Sequence, residues 1–169
     1  MPNHLSVLGI IHTAISILAL LAAFYALIRT GYIDPQLPSG KAYVLLTVVT
    51  CLTGFPIMRT GHFGPAHALT IMVLVVLAIA IYIKRLRIFG SKWEYWQVGF
   101  MTFTLFLSFV PTVNESLTRL PISHPLAAGP DDPLVKMWLG IAFVVFLLVL
   151  TWQLFRLHTR HKNVLLRNA

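Results

Sequence analysis

Thr60-Gly61-His62-Phe63-Gly64-Pro65-Ala66-His67 joins two apolar runs and carries two of the seven histidines. Gly64-Pro65 breaks any helix that reaches it, and Pro65 suits the first turn of the next one. The stretch therefore reads as a tight turn between two helices. The runs on either side are long and nearly free of charge, so lipid is the medium expected around them.

Composition agrees. The chain has 169 residues, 57% of them hydrophobic and 11% charged. Soluble domains carry about 25% charge. Five runs, roughly 5–28, 41–58, 66–84, 96–114 and 134–155, are apolar enough to cross about 30 Å of hydrocarbon as helices. The second run is the shortest, and Pro56 is expected to bend its outer end. Asp132 is placed to cap the fifth, with Pro133 at the first helical position. The first run has no Lys or Arg before it and is longer than a signal-peptide core, so it reads as a retained span. No internal repeat or linker divides the chain. The fold expected is an all-α, single-domain integral membrane bundle of five transmembrane helices, with four as the second choice.

The net charge is +8. With no soluble domain to present a basic face, nucleic acid is not an expected partner. The bases instead orient the chain. With the N-terminus outside, Arg29, Lys41, Lys84, Arg85, Arg87, Lys92, Arg156, Arg160, Lys162 and Arg167 lie on the cytoplasmic side. Only Arg59, Arg119 and Lys136 remain outside, so the positive-inside rule gives N-out and C-in. Trp93, Tyr95 and Trp96 fall at the inner interface and Trp138 at the outer one, as an aromatic belt would. A basic tail holding His158 and His161 follows the last span and is expected to attract anionic lipid.

Lipid does not drive helices together, so small and polar residues mark the faces that pack. Gly9, His12, Thr13, Ser16, Ala19, Ala23 and Ala26 recur at helical spacing in the first run. Thr47, Thr50, Cys51 and Gly54 do so in the second, and Gln97, Thr104, Ser108, Thr112 and Glu115 in the fourth. These stripes are expected to turn inward, either as close packing or as a polar pathway or pocket. Cys51 is the only cysteine, which excludes a disulfide within the chain and reads as a small buried residue. Ser108 and Ser116 have no base-and-orienter set and no nucleophile elbow.

Topology brings His12, His62, His67 and His124 to the outer side, with Glu115, Asp131 and Asp132. Ionisable groups inside spans are functional candidates, because leaving them in lipid costs several kcal/mol. Four roles compete. His12 and His67, on different spans, would supply the two axial ligands of haem b, although His12 lies about 10 Å deeper by helical rise. His62 and His67, with a carboxylate, would form a surface metal site, although their spacing is not that of one helix face. A quinone head group would be held by His12, His67 and Glu115. In the structural role, His12 bonds across helices, His67 caps the third span and His62 is a solvated loop residue.

Thr47-Val48-Val49-Thr50-Cys51-Leu52-Thr53-Gly54-Phe55-Pro56, then Pro65-Ala66-His67, resembles a group of small uncharacterised bacterial inner-membrane proteins. In these a Thr-x-x-Thr-x-x-Thr-Gly-Phe span precedes a Pro-x-His start. Asn114 and Pro121 match a further Asn and Pro pair before an outer loop. More distantly, His12 followed by Ser39-Gly40-Lys41-Ala42-Tyr43 is similar to a broader family of bacterial multi-pass proteins. The resemblance implies a bacterial inner membrane and singles out His12 and His67, but implies no reaction. Two functions are expected from different classes. One is a non-catalytic small membrane subunit or assembly partner, working as a homo-oligomer or within a larger complex. The other is a redox or ligand-binding protein holding haem b or quinone at the outer leaflet.

Overall fold

The computed structural model describes residues 6–56 and 63–167. Its regular structure is helical throughout, with no strand among the described residues. The helices are α1 (Val7–Thr30), α2 (Pro38–Gly54), α3 (Pro65–Leu86), α4 (Trp93–Arg119) and α5 (Pro133–Arg167). A 3-10 turn, Gly90–Lys92, leads into α4. Four of the five, all but α2, are long and apolar enough to cross a membrane.

Local chemistry explains the ends. Ser6 starts α1 by accepting the Gly9 amide on its hydroxyl at 3.1 Å. Gly31 stops it with φ +85°, a left-handed conformation that favours glycine, and its amide bonds Leu27 O at 2.8 Å. Pro38 opens α2, three residues before the apolar run begins. Gly40 lets the Asp34–Pro35 backbone press against α2, for a Cβ there would stand 1.8 Å from Asp34 O. At 17 residues α2 is about 25 Å long, short of the hydrocarbon thickness. It ends at Gly54, before Pro56, and the last residues of the second apolar run lie outside the described region.

Two helices outrun their apolar stretches. α4 continues through Pro111 to Arg119, where Arg119 pairs with Glu115 one turn back. α5 has 35 residues, about 52 Å, and carries on past Phe155 because no Gly or Pro interrupts the basic tail. At its start Asp132 caps as expected, with Oδ1 accepting the Leu134 amide at 2.9 Å and Oδ2 the Ala128 amide at 3.0 Å.

α1 packs chiefly on α2, α3 on α4, and α4 on α5, while α2 touches α3. At the centre Ala19, Ala23 and Ala26 of α1 meet Tyr43, Leu77, Ala80, Met101 and Leu105. The alanines let α1 approach closely, as their spacing predicts; Thr13, placed on the same stripe, is exposed and bonds its own Gly9 carbonyl instead. Phe106 of α4 stacks on Phe146 of α5 and meets Phe143 edge-on, while Phe103 lies tilted against Phe146. Gln153 ties three helices together. Its Oε1 accepts from Thr102 at 2.6 Å and its Nε2 donates to Gly31 O at 3.0 Å, with 1% of the residue exposed.

The bundle thus has two ends. His12, Phe55, His67 and Glu115 lie at one. Gly31, Glu94 and Gln153 lie toward the other, with most of the basic residues. There the α5 tail is held in place: His161 Nε2 lies 2.9 Å from Glu94, its Nδ1 3.3 Å from the Tyr95 hydroxyl, and Arg160 donates to Tyr32 at 2.6 Å. His161 is therefore engaged within the protein rather than simply part of a lipid-facing charge run.

Two outcomes follow. Gln153→Ala orphans the Gly31 carbonyl and Thr102 hydroxyl in a buried setting, so stability should fall by about 1–2 kcal/mol in detergent, read by thermal unfolding. Thr151→Ala, at an exposed position of the same helix, should change nothing. The two amides that Asp132 accepts hold its carboxyl below the ordinary value. A depressed folded pKa means the cap is complete above the unfolded value of about 3.9 and is lost as pH falls through the folded one. Protection of the Leu134 amide from exchange should collapse in that acid window, and should be weak at every pH in Asp132→Ala.

Candidate functional site

The end that gathers His12, His67 and Glu115 is the candidate site. α3 begins there. Gly64 is extended, Pro65 takes the first helical position, and His67 falls at the third. From that position the ring reaches back, and its Nδ1 accepts the Gly64 amide at 3.2 Å. This is the returning half of a capping box. An Nδ1 that accepts leaves the proton on Nε2, which donates to Phe55 O at 3.1 Å. The ring also stacks on Phe63, centroids 5.0 Å apart, and is 6% exposed. His67 is thus a clamp between the end of α2 and the start of α3, with both ring nitrogens engaged.

His12 is half-buried on α1, and its Nδ1 lies 3.1 Å from Thr53 Oγ1. The Thr53 hydroxyl has its own acceptors, Val49 O at 2.9 Å and Thr50 O at 3.0 Å. Its proton is used there, so His12 Nδ1–H is the donor to Thr53 and the lone pair resides on Nε2. The imidazole lies over Gly54, where a Cβ would come within 3.2 Å of Cε1. Glu115 is near enough for its charge to act on this ring. Its carboxylate also pairs with Arg119.

The structure therefore brings together His12, Thr53, Gly54 and Glu115. It places His67 at the same end, since the two imidazoles bond residues 53 and 55 of one chain segment. Each ring, however, addresses α2. As a haem or metal ligand, His67 would have to give up the Gly64 amide, because Nδ1 holds its only lone pair. His62, proposed with His67 for a metal, lies outside the described residues. His124 is exposed in the loop, Asp131 pairs with Lys136 at 3.4 Å, and Asp132 is occupied as a cap. Among the described residues no three His, Cys, Asp or Glu side chains converge as metal ligands would. His12 and Glu115, with the lone pair on Nε2, form the part of the set able to receive or hand on a proton.

The sequence reading gave no bonding role to two groups. The Tyr43 hydroxyl, fully buried, lies 3.0 Å from Thr104 Oγ1. Thr104 itself donates to Met101 O at 2.8 Å, so Tyr43 is the donor. Gln153 is the other. It is the lone amide side chain in the last apolar run, and a polar residue in a span is a signal in itself.

No protein-family model, curated protein or solved structure matches the chain.

His67→Ala removes partners from the Gly64 amide and the Phe55 carbonyl together. Thermal unfolding in detergent should register a loss of about 1–3 kcal/mol. His124→Ala, which touches neither group, should unfold with the wild type; equal stability of all three proteins would show that the clamp carries no weight.

Proposed function

We propose that the protein is a non-catalytic multi-pass subunit of a bacterial inner membrane, with five spans, N-out and C-in, that assembles with other spans. The observation that carries this reading is the use of His67: both ring nitrogens are spent on backbone groups of two helices. His12 and Gln153 are likewise committed to helix–helix bonds. The chemistry-bearing side chains thus serve the bundle.

The span count is supported by the course of α2. It runs back along α1 from Gly40, against Asp34, to Thr53, against His12, which brings the start of α3 to the end where α1 begins. The orientation is supported by the sequence positions of the bases, ten of which fall in the segments that five spans would put on one side. Lys84 over the Trp93 ring at 5.0 Å and Arg156 over Trp152 at 5.4 Å are the pairs expected at a cytoplasmic membrane interface.

Assembly is assigned to α5. This helix lies at the edge of the bundle and packs on α4, and only 6% of its apolar window is buried. Gly140 on it has nothing within 4 Å, a notch that lets a second backbone approach.

A second reading keeps a quinone head group at His12 and Glu115. It is favoured by the lone pair on His12 Nε2 and the nearby carboxylate. Haem b with His12 and His67 as axial ligands would require the clamp to open. Purification in mild detergent separates the three. The subunit reading expects a colourless protein whose native mass exceeds one chain and falls to one chain in Gly140→Leu. A bound quinone in the organic extract, lost in His12→Ala, would favour the second reading. A Soret band lost in the same variant would establish haem and overturn the proposal.

A further inference from the structure

α2 and α3 run in opposite directions and are joined where His67 bonds the Phe55 carbonyl. One level further in, Cys51 clusters with Val73. Beyond that, toward the start of α2, a recess of about 230 Å³ lies between the two helices. Val44, Leu45 and Val48 of α2 line it, with Ile81 of α3, Pro35 and Lys41. Val44, Val48 and Ile81 are half-buried and pack on the core that holds Tyr43, Leu77 and Ala80. Leu45 forms the outer lip and is 65% exposed. Lys41 and Val48 are seven residues apart, so the recess extends along about 10 Å of helix.

The lining is apolar except at one end, where Lys41 stands. Its ammonium forms no ion pair among the described residues. The chain has five acidic residues, and all are engaged elsewhere. Asp34 accepts the Gln36 amide at 2.8 Å, Glu94 meets His161, Glu115 pairs with Arg119, Asp131 with Lys136, and Asp132 caps α5. The bases near the end of α3 are placed differently: Lys84 lies over the Trp93 ring and Arg85 over Tyr82. A counter-charge for Lys41 therefore comes from outside the chain, next to an apolar recess that also needs filling.

The size of the recess decides what fills it. A helix is about 10 Å across and does not enter. Whole small ligands occupy about 300–1,000 Å³, so this volume takes a single chain. Lysine carries its charge on an apolar stem, which lets Lys41 line the recess and still bring its ammonium to the membrane surface.

We propose that the recess between α2 and α3 seats one acyl chain of an anionic phospholipid, whose phosphate pairs with Lys41. This rests on α2 lying in the bilayer, as the five-span reading has it. The chain covers Val44, Val48 and Ile81, and the headgroup supplies the charge that the protein does not.

Native mass spectra of the full chain in detergent, titrated with phosphatidylglycerol or with phosphatidylcholine of the same acyl chains, test this. The wild type should retain one phosphatidylglycerol in preference to phosphatidylcholine. Lys41→Gln should weaken phosphatidylglycerol about five-fold, the effect of one basic residue at a membrane surface, and leave phosphatidylcholine unchanged. Lys41→Arg should keep the preference. Val48→Trp fills the recess with the charge intact and should lose both lipids. Unchanged binding in either Lys41→Gln or Val48→Trp, in protein that elutes as the wild type does, would overturn the proposal. So would an equal loss in Lys162→Gln, a base outside the recess, since that would mark diffuse attraction to the whole basic end. Leu45→Cys, made in a Cys51→Ala background and placed in liposomes, separates this inference from the reading beneath it. A thiol reacts as its thiolate, which needs water. Rapid modification by a water-soluble maleimide would put α2 in water and overturn both. A protected Leu45→Cys in a protein without lipid preference would overturn this inference alone.

Discussion

Hydrocarbon offers no hydrogen-bond partner, and that constraint organises this bundle. Every amide, hydroxyl and imidazole inside it must be satisfied by another part of the protein or by water that the protein admits. Gln153 shows the first solution. It gathers the Gly31 carbonyl from α1 and the Thr102 hydroxyl from α4 onto α5, and so brings together helices that apolar surface alone would not associate in lipid. Gln97, donating to the Ala80 carbonyl at 2.8 Å, does the same between α4 and α3.

The histidines follow from the same constraint. A neutral imidazole has one donor and one acceptor, and His67 uses both on backbone groups freed where α2 ends and α3 begins. His12 uses its donor on Thr53, keeping its acceptor within the influence of Glu115. Two residues of one type at one end of the bundle thus have different chemical availability. Hydrogen-bond direction, which separates them, is a property of the assembled helices.

Polar groups between α2 and α4 are satisfied unevenly. Tyr43 and Thr104 satisfy each other and the Met101 carbonyl, while Thr47 and Thr50 have no hydrogen-bond partner among the described residues. Cys51, beside Thr50, clusters with Val73 of α3 and Leu107 of α4. One helix therefore presents a face bonded to α1, hydroxyls toward α4 and an apolar flank that clusters with residues of both α3 and α4.

Much of the architecture is legible in the order of residues, because hydrophobic runs, Pro at helix starts and Asp132 as a cap act locally. So is the clustering of bases toward one end, and so are the alanine face of α1 and the stripes that place His12 and Glu115 together. The partners of those groups are not legible. Thr13 shares the spacing of Ala23 yet lies outside, and His161 in a run of bases finds Glu94 and Tyr95 more than sixty residues away. Periodicity tells which face of a helix is polar, but it holds no information about the distance or the direction of the helix opposite. Whether a buried hydroxyl bonds, caps or meets water depends on that distance, and packing in three dimensions is what sets it.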